Sequence, residues 1–181
     1  MRCGRRISVI GVSGSGKTTT AAQIAHRLEI PHVELDALYW GSNWREAPLE
    51  LFRERVTRAL RGAAWVVDGN YSKVRDIVWG RADTVVWLDY ALLVIMWQLV
   101  RRTLQRSLTQ EELWSGNRES LRRAFFDRES ILLWALETFG RRRREYPALL
   151  NQSAHAHLIV VRLRSPRATR EWLSNLTCVE V

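Results

Sequence analysis

The segment GVSGSGKT, residues 11–18, holds the residue types and spacing whose chemistry is easiest to recognise. It fits the P-loop pattern G-x-x-x-x-G-K-[S/T], in which glycines let the backbone curl until consecutive N–H groups point at phosphate oxygens. Lys17 is one of two lysines among 28 basic residues. Its compact ammonium group suits the space between two phosphates better than the planar fork of an arginine. A glycine-rich turn without a ligand is the alternative, but the complete pattern favours a nucleoside-triphosphate site.

ATP and Mg²⁺ are therefore the expected cofactors. We expect the following residues to contact the nucleotide: Gly11, Ser13, Gly14, Ser15, Gly16, Lys17, Thr18 and Thr19. The hydroxyl of Thr18 is expected to bind Mg²⁺. Asp68, at the end of the predicted strand WVVD, is expected to hold the same ion directly or through water. The alternative for Asp68 is a turn aspartate that precedes a glycine.

A second group of polar and aromatic residues predicts a site for a phosphoryl acceptor. Asp36 ends the predicted strand HVELD, one strand away from the P-loop, and could take the proton of an acceptor hydroxyl that attacks the γ-phosphate. The alternative for Asp36 is a helix N-cap. Tyr39 and Trp40 would form an aromatic wall of the acceptor pocket, unless they pack in the core. Asn70 and Tyr71, from the segment DGNY, complete the predicted acceptor site.

Arginines that close over a transferring phosphoryl group stabilise its negative charge during transfer. Among the arginines that follow the fourth predicted strand, Arg106 and Arg118 are the two that we predict to be catalytic. The run RRRR, residues 141–144, is more typical of a solvated helix end, where positive charge also complements the helix dipole. Asp89 ends another predicted strand, and we expect it to cap the helix that begins near Ala91.

The elements that must position these residues alternate between strand and helix. Strands are predicted at residues 6–11, 32–36, 63–69, 82–89 and 157–163, and helices at 17–30, 48–62, 91–106, 119–144 and 166–176. Such alternation predicts an α/β fold with a parallel sheet covered on both faces. In the second helix, the apolar face comprises Leu49, Phe52, Val56 and Leu60, and Gly62 is expected to close the helix. A chain of 181 residues predicts a single domain.

Charge and composition bound the possible partners. The formal net charge of +9, from 28 basic and 19 acidic residues, suggests a polyanionic partner such as a nucleotide or a nucleic acid, although no recognised nucleic-acid-binding motif accompanies it. The most apolar run, residues 91–100, is too short for a bilayer, which needs about 20 residues, so we expect no membrane association. Cys3 and Cys178 lack metal-site or disulfide spacing, which predicts reduced thiols in a cytoplasmic protein without a signal peptide. We expect a monomer or a homodimer.

Four motifs occur in the order GVSGSGKTTTA, LDALYW, WVVDGNY and ADTVVWLDY. Over roughly residues 7–144 they resemble the small bacterial P-loop proteins described as adenylate-kinase-like or as topology modulation proteins, a group similar to the nucleoside and nucleotide kinases. The resemblance implies a three-layer P-loop NTPase fold, a five-stranded parallel sheet in the order 2-3-1-4-5, and a helical lid, here around residues 106–128. WVVDGNY is similar to the LDG segment of adenylate kinases, and LDALYW to the D-S-F-Y segment of uridine kinases, which supports Asp36 as a base. Adenylate kinases continue LDG with FPR, whereas this chain has NYS, a departure on the acceptor side.

Two functions are consistent with these features. The first is a kinase that transfers the γ-phosphoryl group of ATP to a small, nucleoside- or nucleotide-like acceptor. The second is a nucleotide-dependent switch or slow NTPase that acts on a macromolecule such as DNA through its arginine-rich helices. The direction of the arginines discriminates between them, because a kinase needs arginines turned inward toward Lys17 and a switch needs them spread over an outer face.

Overall fold

A five-stranded parallel sheet forms the centre of the molecule. The structure is a computed structural model that describes residues 2–109, 114–116 and 131–178. Within these residues the strands are β1 (Arg2–Cys3), β2 (Arg6–Gly11), β3 (His32–Glu34), β4 (Trp65–Asp68), β5 (Thr84–Leu88), β6 (Ile159–Leu163) and β7 (Thr177–Cys178). The central sheet has the order β3-β4-β2-β5-β6 with every neighbouring pair parallel. Counted along the chain, its strands stand in the order 2-3-1-4-5, so the predicted sheet is confirmed.

Helices cover both faces of this sheet. They are α1 (Lys17–Leu28), α2 (Leu35–Tyr39), α3 (Leu49–Ala59), α4 (Arg75–Arg81), α5 (Leu92–Thr109), α6 (Ile131–Leu150) and α7 (Pro166–Ser174). One core lies between the sheet and helices α1, α5 and α7, and a second lies between the opposite face and helices α3, α4 and α6. Because both faces are covered, β4 and β5 are buried along their whole length, which explains their nearly continuous apolar sequences. The predicted three-layer α/β architecture is confirmed.

Several local predictions are wrong, and the short helices α2 and α4 were not predicted. The strand predicted to end at Asp36 stops at Glu34, and Asp36 lies in the first turn of the short helix α2. The short apolar run HVELDALY does not distinguish strand from helix by periodicity, and burial of Leu35 and Tyr39, one helical turn apart, decides for helix. Helix α3 ends before Gly62, with Leu60 as its C-cap residue. Leu49, at its start, is 47% exposed rather than buried.

A second, two-stranded sheet joins the two ends of the described chain. Strands β1 and β7 pair in parallel, with Cys3 opposite Cys178 in the register. The two cysteines, which show no spacing pattern in the sequence, are thus backbone neighbours, because the ends of the chain meet. Among the described residues, no helix is both long and apolar enough to cross a membrane.

The lid predicted around residues 106–128 falls largely outside the described residues. Of this range, the structure describes residues 106–109, at the end of α5, and the short 3-10 turn Trp114–Gly116. The lid and the single-domain organisation therefore stay predictions.

Candidate active site

The P-loop has the backbone that its glycines predict. It joins β2 to α1, and Gly11 and Gly14 adopt φ angles of 155° and 84°, which L side chains rarely adopt. Both positions also lack room for a side chain. A Cβ atom on Gly11 would lie 2.6 Å from Ser15 Oγ, and one on Gly14 would lie 2.9 Å from Leu99 Cβ, in α5. Glycine is therefore required at these two positions by the backbone conformation and by the packing of the loop against Ser15 and α5.

Two features of this loop fit a phosphate group. Ser15 is 1% exposed, and within the described part of the chain its Oγ atom has no hydrogen-bond partner. A buried hydroxyl without a partner costs free energy, which an anionic oxygen at the loop would recover. Gly16 is the N-cap of α1 and provides no side-chain cap, so the first N–H groups of the helix stay available for an anion. Ser13 is half-buried beside them, whereas Thr19 is exposed on the first turn of α1.

Burial and the charges of two arginines and two carboxylates act on the ammonium group of Lys17. Its Nζ donates a hydrogen bond of 3.2 Å to the carbonyl oxygen of Val12. Burial of the ammonium group, and then the nearby guanidinium of Arg142, lower the pKa of Lys17 to about 8, with Arg102 adding to the shift. The carboxylates of Asp36 and Asp68 act in the opposite direction but do not outweigh them. A cation in this state is stabilised by an anionic ligand.

Asp68 connects the P-loop helix to the edge of the sheet. It is 5% exposed, and its Oδ2 accepts a 2.6 Å hydrogen bond from the Thr18 hydroxyl. Its Oδ1 lies 2.8 Å from Nε2 of His32. Because the proton of Thr18 points at Asp68, the lone pairs of its oxygen can bind a cation, as the predicted Mg²⁺ site requires. No group of three or more His, Cys, Asp or Glu side chains among the described residues forms a separate metal site.

Residues of the segment DGNY form hydrogen bonds to the P-loop and to Asp36. Asn70 pairs with the backbone of Gly11 in both directions: the N–H of Gly11 donates to Oδ1 at 3.3 Å, and Nδ2 donates to the carbonyl oxygen. The hydroxyl of Tyr146, in α6, donates to the same Oδ1 at 3.1 Å. Tyr71 donates to Asp36 Oδ1 at 2.5 Å. Burial and the Asp36 carboxylate raise the pKa of Tyr71, so the phenol keeps its proton as the donor.

Of the two aromatic residues predicted to line an acceptor pocket, Tyr39 is buried and Trp40 is half-buried. Tyr39 is 4% exposed, packs against Phe52 and Tyr71, and accepts a 3.1 Å hydrogen bond from Lys73. These contacts favour the packing alternative for Tyr39. Trp40 is half-buried, and its carbonyl oxygen accepts a hydrogen bond of 3.1 Å from the Ser115 hydroxyl. Asp36 itself is half-buried and close enough to Lys17 to affect its pKa.

A small cleft lies beside Asn70 and Tyr71. Its polar lining includes Arg75, which forms a 3.1 Å ion pair with Glu145 and stacks on the ring of Trp79, 5.4 Å from its centroid. The lining of this cleft thus combines aromatic surface with hydrogen-bonding groups next to Asn70 and Tyr71.

The structure does not test the two arginines that the sequence predicts to be catalytic. Arg118 lies outside the described residues, and Arg106 belongs to α5 but its side chain is not described. Within residues 2–109, 114–116 and 131–178, Arg102 and Arg142 are the arginines whose charge lowers the pKa of Lys17. The helical spacing of α5 was an available signal, because Ile95 and Leu99 face the P-loop and Arg102 follows on the same side.

The run of arginines at residues 141–144 does not lie at a helix end, although three of its four members are exposed. It lies inside α6, which continues to Leu150, and successive residues point in different directions. Arg142 lines a cleft with Val12 of the P-loop, and its charge lowers the pKa of Lys17. Arg143 binds Asp89 through Nε at 3.1 Å, and Arg144 donates to the carbonyl of Gly140 in its own helix. A local run could not reveal this division, because it depends on how α6 is rotated against the sheet.

The prediction that Asp89 caps the following helix is wrong. Helix α5 begins at Leu92, and the carboxylate of Asp89 is 5% exposed and bound by two arginines. Oδ2 accepts hydrogen bonds of 2.9 and 2.6 Å from Nε and Nη2 of Arg162, whose guanidinium stacks on Trp87 at 4.3 Å. Asp89 therefore ties β5, β6 and α6 together.

Comparisons with known proteins bear on the fold. Neither a protein-family model nor a curated protein matches this chain. Among solved structures, a gluconokinase from Sinorhizobium meliloti 1021 is 20% identical, with a TM-score of 0.53 over 97% of this chain and 94% of its own. A shikimate kinase from Bacteroides thetaiotaomicron is 14% identical, with a TM-score of 0.55 over 97% of this chain and 95% of its own. The chain has the fold of the P-loop kinases.

Proposed function

We propose that this protein is an ATP-dependent kinase that transfers the γ-phosphoryl group to a hydroxyl of a small-molecule acceptor. The observation that carries this proposal is the P-loop itself, in which the buried Ser15 hydroxyl has no hydrogen-bond partner among the described residues, beside Lys17, on whose pKa Asp36, Arg102 and Arg142 act. Arg142 also lines a cleft together with Val12 of the P-loop, which favours a kinase over a switch that binds a macromolecule through an outer face. The kinase-like fold also supports it.

Each residue of the site has a separate role in the proposed reaction. The P-loop N–H groups and the Ser15 hydroxyl bind phosphate oxygens, and Lys17 neutralises charge on the transferring end of the nucleotide. Arg102 and Arg142 add positive charge next to Lys17. Thr18 and Asp68 are the residues that would hold Mg²⁺, which when bound supplies further neutralisation of phosphate charge.

On the acceptor side, Asp36 is the proposed general base. Its Oδ1 already accepts the hydrogen bond of Tyr71, so Oδ2 is the atom that takes the proton. The hydroxyl oxygen of the acceptor forms a bond to the γ-phosphorus while the bond from this phosphorus to the bridging oxygen breaks. The products are the phosphorylated acceptor, ADP and the protonated carboxyl group of Asp36. Trp40 and the cleft at Arg75 and Asn70 are the proposed acceptor-binding surfaces, and a nucleoside- or nucleotide-like acceptor stays our hypothesis.

A screen of fractionated metabolite extracts tests this function. The protein is incubated with ATP and Mg²⁺, and mass spectrometry identifies any metabolite that gains one phosphoryl group while ADP accumulates. Asp36→Asn should lose at least about 100-fold in transfer rate, the lower bound for a positioned base. Glu137→Gln, which changes an exposed carboxylate on α6, is the matched control and should behave like the parent.

Two results would contradict the proposal. Failure of the parent to bind ATP would remove the nucleotide site altogether. ATP hydrolysis that DNA stimulates, with no metabolite phosphorylated, would favour the switch instead.

A further inference from the structure

The carboxylate of Asp68 receives a second hydrogen bond that the P-loop pattern does not include. His32, at the start of β3, lies opposite Val66 in the register, and Glu34 lies opposite Asp68. His32 is therefore two residues before the position facing Asp68, on the same face of the sheet, within reach of a long side chain. Its Nε2 is 2.8 Å from Asp68 Oδ1, and the two side chains are 18% and 5% exposed.

The chemistry of the pair determines which atom is the donor. An ionised carboxylate only accepts hydrogen bonds, so Nε2 of His32 carries the proton and donates it to Oδ1. Oδ2 receives the hydroxyl proton of Thr18 at 2.6 Å. Two donors, one on each oxygen, therefore fix the plane of the Asp68 carboxylate between β3 and α1.

We infer that His32 is a positioning residue for the metal site of the proposed kinase. It holds Asp68 in the orientation that Mg²⁺ binding needs and keeps the Thr18 hydroxyl paired with that carboxylate, so that the oxygen of Thr18 faces the cation. Hydrogen bonds behind a metal-binding carboxylate orient it, and their loss commonly costs about 10- to 100-fold in metal affinity. This inference depends on the proposed function, because it assigns His32 to the same nucleotide site.

The alternative is a histidine that only satisfies the polar groups of the core, and two amide variants separate these roles. The side-chain amide nitrogen of glutamine lies about where Nε2 of histidine lies, whereas that of asparagine is shorter and matches Nδ1. His32→Gln should keep the donor to Asp68, and His32→Asn should lose it while staying polar and uncharged. His26→Asn, on the exposed face of α1, is the control for a histidine elsewhere in the chain.

Titration calorimetry measures ATP affinity at increasing Mg²⁺ concentrations and also in EDTA. His32→Asn should raise about tenfold the Mg²⁺ concentration at which half of the gain in ATP affinity is reached, and leave the ATP affinity in EDTA unchanged. The melting temperatures of His32→Asn and His32→Gln should agree within a few degrees. His32→Gln and His26→Asn should resemble the parent. In an Asp68→Asn background, His32→Asn should add little to the shift, because the two residues act through one carboxylate.

Three outcomes would overturn the inference. An unchanged Mg²⁺ midpoint in His32→Asn would assign the histidine to packing. An equal shift of the Mg²⁺ midpoint in His32→Gln and His32→Asn would exclude the hydrogen bond to Asp68 as the cause. An equal loss of ATP affinity with and without Mg²⁺ would indicate general damage to the site. A parent that binds no ATP would refute the proposed function as well, whereas a parent with Mg²⁺-dependent affinity and an unshifted variant would refute only the role of His32.

Discussion

Replacing Lys17 by methionine should stabilise the nucleotide-free protein while it destroys the proposed nucleotide site. The pKa of Lys17 is lowered from 10.5 to about 8, first by burial and then by Arg142. A shift of this size corresponds to about 3 kcal/mol against folding whenever the ammonium is charged. The variant also loses the hydrogen bond to Val12, worth about 1 kcal/mol. Methionine is unbranched and apolar, so Lys17→Met should gain about 2 kcal/mol in unfolding free energy at pH 7.

The pH dependence gives this prediction its signature. Below pH 8 the ammonium is charged in both the folded and the unfolded chain, so its full cost is present. Between the folded pKa of about 8 and the unfolded pKa of 10.5, the folded chain releases its proton first and the cost declines. The stability advantage of Lys17→Met over the parent should therefore be constant below pH 8 and shrink as the pH rises toward 10.

Urea unfolding of the nucleotide-free proteins at several pH values measures this difference. Lys73→Met changes the other lysine of the chain and is the matched control. Lys73 is exposed, and its hydrogen bond with Tyr39 raises its pKa, so its removal should not stabilise the protein. Lys17→Met should also bind ATP far more weakly than Lys73→Met does. A Lys17→Met protein that is no more stable than the parent at pH 7, or whose advantage does not depend on pH, would refute the argument from burial.

The other predictions concern the two aspartates and the arginines. Asp36→Asn should reduce single-turnover phosphoryl transfer at least about 100-fold with nearly unchanged ATP affinity, and equal rates would remove Asp36 as the base; a loss of melting temperature alone would indicate a structural role. Asp68→Asn should raise the Mg²⁺ concentration for half-maximal activity, and an unchanged Mg²⁺ dependence would exclude Asp68 from the metal site. Arg142→Gln should slow phosphoryl transfer about tenfold or more and raise the pKa of Lys17. The control is Arg144→Gln, which changes an exposed arginine of the same helix and should have neither effect. Similar transfer rates in these two variants would contradict the assignment of Arg142.

The contacts of the P-loop and of DGNY illustrate what local sequence can and cannot reveal. The P-loop was recognisable because its chemistry uses consecutive backbone groups, so the residues that matter are neighbours in the chain. Asn70 and Tyr71 were predicted as acceptor-binding residues from their position. Their partners, Gly11 and Asp36, are distant in sequence, and only the packing of β4 between β2 and β3 brings them together.

The sequence by itself determined the alternation of strands and helices, the parallel sheet and the nucleotide loop, because hydrophobic periodicity and glycine spacing are local properties. The strand order also required the resemblance to known P-loop proteins. The tertiary structure alone decided which of many arginines approach Lys17, that Asp89 binds Arg143 and Arg162 instead of capping a helix, and that His32 reaches Asp68. The physical reason is that these contacts depend on the rotation of each helix and the register of each strand against its neighbours. Packing of the whole core sets both, and no short segment encodes them.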